Sequence, residues 1–480
     1  MNIIILGVGR VGESVAENLV SECNDITVID TNPVRVRELQ DRLDLRGVVG
    51  NGIQPSVLQE AGAADADMLI ACSPLDETNL VTCKIGHDLY NIPTTIARVR
   101  SPEFVDGGPL MGRSGFAVDR VICPEASLTR YIRKLIEYPE ALQVVEFAQG
   151  RVCLLAVRAV LGAPLVGHAI KDLKAMIGEA ELRIVSIYRR ESEAPDRLIA
   201  CTGETRVEPG DEVFVLAPTG DVRPVLHLLR RRDRPVKRVM IAGGGRVGLR
   251  LARLLQAEYR VKVIEHDAQR CQYLATQLSA GTLVLQGDST DEDLLEEENV
   301  RDVDLFLALT NDDEDNIMSC LLAKRMGARR VLALINRKSY ADLVQGTEID
   351  IALSPAQAVI GELLAYVRRG DVEAVHSLRR GAAEALEAVA RGDAKSSKVV
   401  GRRIEQIALP RGAQIGAIVR GLPEDGVPAE EAEAQRRDAR VLIAHHDTVI
   451  EANDHVVIFL PSKRDVREIE RLFQVSATFF

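Results

Sequence analysis

Residues Asn2–Ala16 read NIIILGVGRVGESVA, and residues Arg238–Ala252 read RVMIAGGGRVGLRLA. Each is a short apolar run, then G-x-G-x-x-G, then a helical pattern. The first copy is Gly7, Val8, Gly9, Arg10, Val11 and Gly12; the second is Gly243, Gly244, Gly245, Arg246, Val247 and Gly248. A glycine-rich turn between strand and helix opens a dinucleotide-binding βαβ unit. The first glycine permits the tight turn. The second lets a pyrophosphate approach the backbone, and the third lets helix and strand pack closely. The helix N-terminus then faces the phosphates with its free N–H groups.

One such fingerprint is weak evidence. Here Gly7 and Gly243 stand 236 residues apart. TVID, ending at Asp30, matches KVIE, ending at Glu265, at an offset of 235. DADMLIACSPLDETN (Asp65–Asn79) matches DVDLFLALTNDDEDN (Asp302–Asn316) at an offset of 237. A register that holds this closely marks a duplication.

In each copy an acid ends the second strand, Asp30 in one and Glu265 in the other. A carboxylate there holds both ribose hydroxyls and disfavours a 2′-phosphate, so the expected ligand is NAD(H). Ligands of a doubly wound sheet sit beyond the C-terminal ends of its strands. Asn51 and Asp288 follow the third strands, toward the adenine side. Cys72 and Ser73, with Leu309 and Thr310, follow the fourth strands and line the nicotinamide–ribose side. Arg98 and Arg337 close the fifth strands, within reach of a phosphate; a surface salt bridge is the other role open to Arg98. Asn79 and Asn316 are expected to hydrogen-bond at a helix start.

Each half divides again. Up to about residue 125, apolar runs (Ile3–Leu6, Ile26–Ile29, Val48–Val49, Met68–Ala71, Thr95–Val99) alternate with helical patterns. That alternation predicts a parallel sheet wrapped by crossovers. From Ala141 the runs Val144–Phe147, Val152–Val157, Ile184–Tyr188 and Val213–Leu216 are separated by turns, with a counterpart over Glu373–Phe473. The expected fold class is α/β: two Rossmann-like lobes with doubly wound parallel sheets, each followed by a small α+β lobe. The expected boundaries are 1–125, 140–225, 236–358 and 371–475. The charged stretch Arg230–Pro235 reads as a linker, either a solvated junction or a basic patch for an acidic partner or lipid head groups.

Composition narrows the function. The 480 residues are 46% hydrophobic and 27% charged, which fits a folded chain. Aromatics are 4%, Trp is absent, and 60 basic residues against 71 acidic leave a net charge of −11. No nucleic-acid partner is expected from such a chain. No apolar run approaches the roughly 18–20 residues of a membrane span. A signal peptide is not expected, because a basic start is missing and Gly7 and Arg10 interrupt the apolar run. The eight Cys are scattered with no Cys-x-x-Cys pair, so neither a disulfide framework nor a zinc site is expected, and a reducing cytoplasm fits.

Catalytic groups are missing. An NAD enzyme needs a general acid or base near the hydride. None of the eight His stands in a Ser/His/Asp or His/Glu arrangement, and there is no G-x-x-x-x-G-K-[ST] loop. Two nucleotide sites without catalytic residues or a metal site read as a sensor rather than an enzyme.

Several stretches carry a family resemblance: NDITVIDTN (Asn24–Asn32), DADMLIAC (Asp65–Cys72), IEYPEALQVVEFA (Ile136–Ala148), VEPGDEVF (Val207–Phe214), LTNDDEDNIMSCLLAKRMGA (Leu309–Ala328) and DLVQGTEIDIALSPAQA (Asp342–Ala358). The chain resembles two copies of the RCK (KTN) module that regulates potassium conductance, an RCK-N Rossmann lobe with a small RCK-C lobe. The tandem form resembles the cytoplasmic regulatory subunits of bacterial Trk potassium uptake systems. The resemblance implies a peripheral protein on the cytoplasmic face of the inner membrane, bound to a Trk-type potassium channel membrane subunit. It implies a homotetrameric ring, binding of NAD(H), competition by ATP or ADP in one lobe, and control of potassium entry. An NAD-dependent tandem-Rossmann oxidoreductase and a regulator of another cation transporter, such as an antiporter, are the alternatives. One stretch departs from the family pattern: GLPEDGVPAEEAEAQRRDAR (Gly421–Arg440) reads as an acidic surface loop.

Overall fold

The computed structural model describes residues 1–22, 24–101, 104, 108–190, 197–230, 235–344, 348–367, 372–378, 382–423 and 429–475. The linker residues 231–234 lie outside them.

The first sheet contains β1 (Asn2–Leu6), β2 (Asp25–Asp30), β3 (Arg46–Val49), β4 (Met68–Ala71), β5 (Thr94–Arg98) and β6 (Arg120–Ile122). The order is β3-β2-β1-β4-β5-β6, and every pairing is parallel. Helices on both faces bury the sheet, so Ile3–Leu6 and Met68–Ala71 are apolar at every position. The order reverses between β1 and β4, where the two chains leave in opposite directions and open a crevice. Leu6 pairs with both Ile29 and Ala71, which sets Gly7 at the mouth of that crevice.

The first small sheet contains β7 (Ala141–Phe147), β8 (Val152–Arg158), β9 (Arg183–Arg189), β10 (Arg197–Ala200) and β11 (Glu212–Pro218), ordered β10-β9-β11-β8-β7 and antiparallel. The second parallel sheet contains β12 (Arg238–Ala242), β13 (Arg260–Glu265), β14 (Leu283–Gln286), β15 (Leu305–Ala308), β16 (Arg330–Leu334) and β17 (Ile351–Leu353). Its order, β14-β13-β12-β15-β16-β17, repeats the first. The second small sheet contains β18 (Val372–Leu378), β19 (Ala383–Val389), β20 (Gln414–Arg420), β21 (Arg440–Ile443) and β22 (His455–Leu460), ordered β18-β19-β22-β20-β21. Strand for strand, this is the order of the first small sheet. The fold is thus two Rossmann-type parallel sheets and two small antiparallel ones, in tandem.

The compact units cross the repeat. Met1–Arg130 and Lys237–Ile360 form one unit, and Tyr131–Val236 and Gly361–Phe480 form the other. Each lobe therefore groups with its own copy, not with the lobe that follows it in sequence. In the second unit the small sheets share a core that includes Phe147, Phe214, Leu216, Ala385, Ala417 and Phe459. The Phe214 and Phe459 rings lie 6.0 Å apart. A Cβ on Gly416 would fall 2.1 Å from Leu216 Cδ1, so close sheet approach requires glycine there. A buried carboxylate spans the same interface: Glu387 accepts the Ala148 N–H at 2.7 Å and meets His455 Nδ1 at 2.6 Å.

One segment differs from its reading as a loop. Ala429–Asp438 is an α-helix between β20 and β21; residues 424–428 lie outside the described ones. Ala, Glu, Gln and Arg are strong helix formers, which accounts for it. The helix packs inward through Ala432, and Arg436 Nε donates to Gln149 Oε1 of the β7–β8 turn.

Candidate nucleotide sites

The glycines of each fingerprint have separable jobs. Gly7 and Gly243 take φ of +92° and +101°, a left-handed conformation that favours glycine. Gly12 and Gly248 lie against the turn itself. A Cβ on Gly12 would fall 1.9 Å from the Gly7 carbonyl oxygen, and one on Gly248 would fall 2.0 Å from that of Gly243. Gly9 and Gly245 differ, because a Cβ on either would meet nothing within 4 Å. The open space at the middle glycine leaves the backbone accessible to an approaching group.

The helices Arg10–Val20 and Arg246–Leu255 begin at those open positions, and neither has a side-chain cap. By contrast, Asn32, Asp267 and Asp312 cap the helices Pro33–Arg42, Ala268–Gln277 and Asp313–Arg325. Uncapped N–H groups at the fingerprint remain available to an anion.

The two acids lie beside the fingerprint backbone. Asp30 accepts the Val8 N–H at 2.7 Å and the Asn32 N–H at 2.8 Å, one with each oxygen. Glu265 does the same with the Gly244 N–H at 2.9 Å and the Asp267 N–H at 3.0 Å. Asp30 is half-buried and Glu265 is buried. Both Asp30 oxygens and Glu265 Oε2 keep a second lone pair for a hydroxyl donor, while Glu265 Oε1 also lies 3.0 Å from His266 Nδ1.

Asn51 and Asp288 sit past β3 and β14 and fold back on their own turns. Asn51 Oδ1 accepts the Ile53 N–H at 3.2 Å, and Asp288 Oδ1 accepts the Thr290 N–H at 2.8 Å. The bond from the Thr290 backbone is the main cause holding the Asp288 carboxyl below its usual range.

Past β4 and β15, only part of the expected lining faces outward. Ser73 and Thr310 are partly exposed, but the Cys72 and Leu309 side chains are buried at 3% and 4% exposure. Those two can offer the crevice backbone alone, because side chains alternate along a strand and theirs turn inward. Burial pushes the Cys72 thiol up to about 12, so it is not a reactive group.

Asn79 and Asn316 do not cap a helix. Asn79 accepts the Ser73 N–H at 2.9 Å and donates to the carbonyls of Ser73 at 3.1 Å and Arg98 at 2.8 Å. Asn316 repeats this with Thr310 and Leu334. Each fully buried amide clips the ends of two neighbouring strands together. Asp76 and Asp313, which the sequence did not single out, act likewise on the next turn. Asp76 accepts the N–H groups of Arg100 and Ser101, and Asp313 accepts those of Asn336 and Arg337.

Those bonds correct one pairing. Arg98 ends β5, but β16 ends at Leu334, and Arg337 lies three residues beyond it. Arg337 therefore matches Ser101, and Arg98 matches Leu334, both at an offset of 236. Arg337 is exposed and bonds Glu314 at 2.9 Å and the Tyr340 hydroxyl at 2.8 Å. Arg98 is not on the surface: its side chain is 12% exposed and reaches Glu125 at 3.4 Å. Arg100 reaches the same carboxylate oxygen at 3.6 Å. Burial, then Arg98, draws the Arg100 pKa below its ordinary value, and Arg246 of the second fingerprint adds to this. One carboxylate thus faces several guanidinium groups.

Among the described residues, no group of three or more His, Cys, Asp or Glu could hold a metal ion. Among the same residues, no helix is long and apolar enough to cross a membrane.

Comparison with known proteins gives concordant matches. The TrkA-N domain family matches residues 3–124 and 239–355, and the TrkA-C domain family matches 154–230. The Trk system potassium uptake protein TrkA of Halomonas elongata is 51% identical over 480 residues, covering all of both chains. Proteins of the same name from Vibrio alginolyticus and Haemophilus influenzae are 50% and 44% identical, also over both full lengths. Among solved structures, the GsuK channel is similar in fold, with a TM-score of 0.59, 18% identity, and coverage of 98% of this chain and 78% of that one. A GsuK channel bound to NAD is similar at a TM-score of 0.57 and 16% identity, with the same coverage. The chain belongs to the TrkA family, the regulatory subunits of Trk potassium uptake systems.

Proposed function

We propose that this chain senses nucleotides and gates potassium entry through a Trk-type membrane channel subunit. The observation that carries this reading is the doubled geometry. In both Rossmann lobes a carboxylate bonds the second fingerprint residue, Val8 or Gly244, beside an open middle glycine and an uncapped helix. An adenosine ribose placed there donates its hydroxyls to Asp30 or Glu265, and the pyrophosphate lies along Gly9 or Gly245. NAD(H) suits both sites, since each carboxylate repels a 2′-phosphate. ATP or ADP shares the adenosine end and competes in one lobe.

Arg98 and Arg337 supply cationic groups for phosphate oxygens. Asn51 and Asp288 flank the adenine, and Ser73 and Thr310 flank the nicotinamide ribose. The four lobes divide at 1–125, 140–225, 236–358 and 371–475. The subunit forms a homotetrameric ring at the cytoplasmic face of the inner membrane and performs no hydride transfer. Nucleotides of different length and charge favour different ring arrangements. Each shifts the equilibrium only by its differential affinity for the two states.

Calorimetry on the full chain tests the sites. Asp30→Ala should weaken NADH binding in the first lobe and Glu265→Ala in the second; unchanged affinity in both variants would refute the assignment. Recordings of the channel–subunit pair test the gating. An open probability that ignores NADH, NAD, ATP and ADP alike would end the sensor reading.

A further inference from the structure

The two fingerprint loops are anchored differently. In the first lobe the Val8 side chain is buried in the core, and its N–H is bonded to Asp30. The second lobe has no side chain at that position. Leu274 has moved in instead, its Cδ1 2.3 Å from where a Gly244 Cβ would stand. Glycine is the residue with the most backbone freedom to lose, so this loop needs another anchor.

Arg270 provides it. Its Nε donates to the Gly244 carbonyl at 2.7 Å, while Glu265 holds the Gly244 N–H at 2.9 Å. Glu265 also accepts from Asp267, and Asp267 accepts the Arg270 backbone N–H at 2.6 Å. The guanidinium lies 4.8 Å over the Tyr273 ring, which fixes its direction. Gly244, Glu265, Asp267 and Arg270 thus form a closed circuit of hydrogen bonds. The first lobe has the same links from Val8 through Asp30 and Asn32 to the Arg35 backbone, and then the circuit stops. Arg35 is exposed, and among the described residues its side chain makes no return bond to Val8.

We infer that Arg270 is a positioning residue for the second nucleotide site. It pre-orders the loop that receives the adenosine half, and the first site has no such dependence on Arg35. An ordered loop binds without an added ordering cost. The ligand part of this inference rests on the nucleotide reading above; the loop part does not.

Hydrogen exchange followed by mass spectrometry on the full chain reads the two loops separately, through peptides covering 7–13 and 243–249. Without ligand, Arg270→Ala should speed exchange in 243–249 about tenfold, the scale of one charged hydrogen bond. Arg35→Ala should leave 7–13 unchanged, and the melting temperature should hold in both variants. Arg270→Lys, which can still donate to the carbonyl, should restore most of the protection. The NADH and ADP concentrations that half-protect 243–249 should both rise about tenfold in Arg270→Ala, while those for 7–13 stay fixed. Unaltered ligand-free exchange in Arg270→Ala would overturn the inference. So would a loss confined to ADP, which would make Arg270 a phosphate contact instead. If neither nucleotide protects either loop in the unsubstituted protein, the nucleotide reading fails and the loop anchor stands alone.

Discussion

Asn79 and Ser73 exchange two hydrogen bonds: the Ser73 N–H gives to Asn79 Oδ1 at 2.9 Å, and Asn79 Nδ2 gives to the Ser73 carbonyl at 3.1 Å. A third bond from the same amide to the Arg98 carbonyl ties β4 to β5. Because the amide is fully buried, its loss strands three backbone groups. Asn79→Ala should cost about 2–4 kcal/mol in chemical denaturation, at roughly 1–3 kcal/mol per unsatisfied buried group with some relaxation. Asn79→Asp should also destabilise, since a carboxylate cannot donate to two carbonyls. A loss below about 0.5 kcal/mol would mean the clip is redundant.

The middle and last glycines should separate stability from binding. Gly9 has φ of −83° and open space around it, so Gly9→Ala should fold normally. Its methyl group then occupies the pyrophosphate path and lowers nucleotide affinity at the first site. Gly12→Ala places a carbon 1.9 Å from the Gly7 carbonyl oxygen and should destabilise the lobe by about 2 kcal/mol or more. Thermal melts with and without NADH distinguish the two. Equal melting temperatures for both variants would contradict the geometry.

Acid should weaken the second unit through His376. Burial lowers its pKa to about 4, against 6.5 when solvated. The unfolded chain therefore binds a proton between those values and the folded chain does not, so stability falls as pH drops from 6.5 toward 4. Fully expressed, the effect is about 3 kcal/mol. His376 packs edge-on against Phe147, with ring centroids 5.2 Å apart. His376→Phe should keep that contact and flatten this part of the pH dependence. Urea midpoints at pH 7 and pH 4.5 for both proteins give the answer, and parallel losses would rule His376 out as the source.

The shared core of the small sheets should be intolerant at Gly416 and Phe459. Phe459→Ala removes a buried ring that meets Phe214, and should cost about 3–5 kcal/mol. Gly416→Val should cost a comparable amount by driving the two sheets apart. If either variant melts like the parent, the two small lobes do not depend on this contact.

The fingerprints and the acids were legible because their chemistry is local. A tight turn, a helix start and a strand-end carboxylate are each written within a few residues. The parallel, doubly wound sheets followed from the alternation of apolar runs and helices. Other features depend on tertiary position. Asn79 and Asn316 look like helix-start residues until β4 and β5, or β15 and β16, stand side by side. Cys72 and Leu309 are at the right place in the chain, but the pleat turns their side chains into the core. Arg337 was paired with Arg98 as an arginine closing the fifth strand, but the bonds from Asn79 and Asn316, with those from Asp76 and Asp313, set the register and place Arg337 three residues past the strand end. The helix Ala429–Asp438 did leave a signal in its Ala, Glu and Arg content, which net acidity obscured. Arg270 left none, because its role needs Gly244, distant in sequence, as partner.

That the compact units cross the repeat bears on synthesis. Met1–Arg130 leaves the ribosome well before Lys237–Ile360, the segment that completes its unit. At roughly 5–20 residues per second, the delay is on the order of 10–50 s. Throughout that interval the nascent chain exposes a surface whose intended cover does not yet exist. A chain that stopped at Val236 would carry half of each unit, and only a second truncated copy could supply the missing halves. The duplication thus turned what two polypeptides would have to do by collision into something one polypeptide does by waiting.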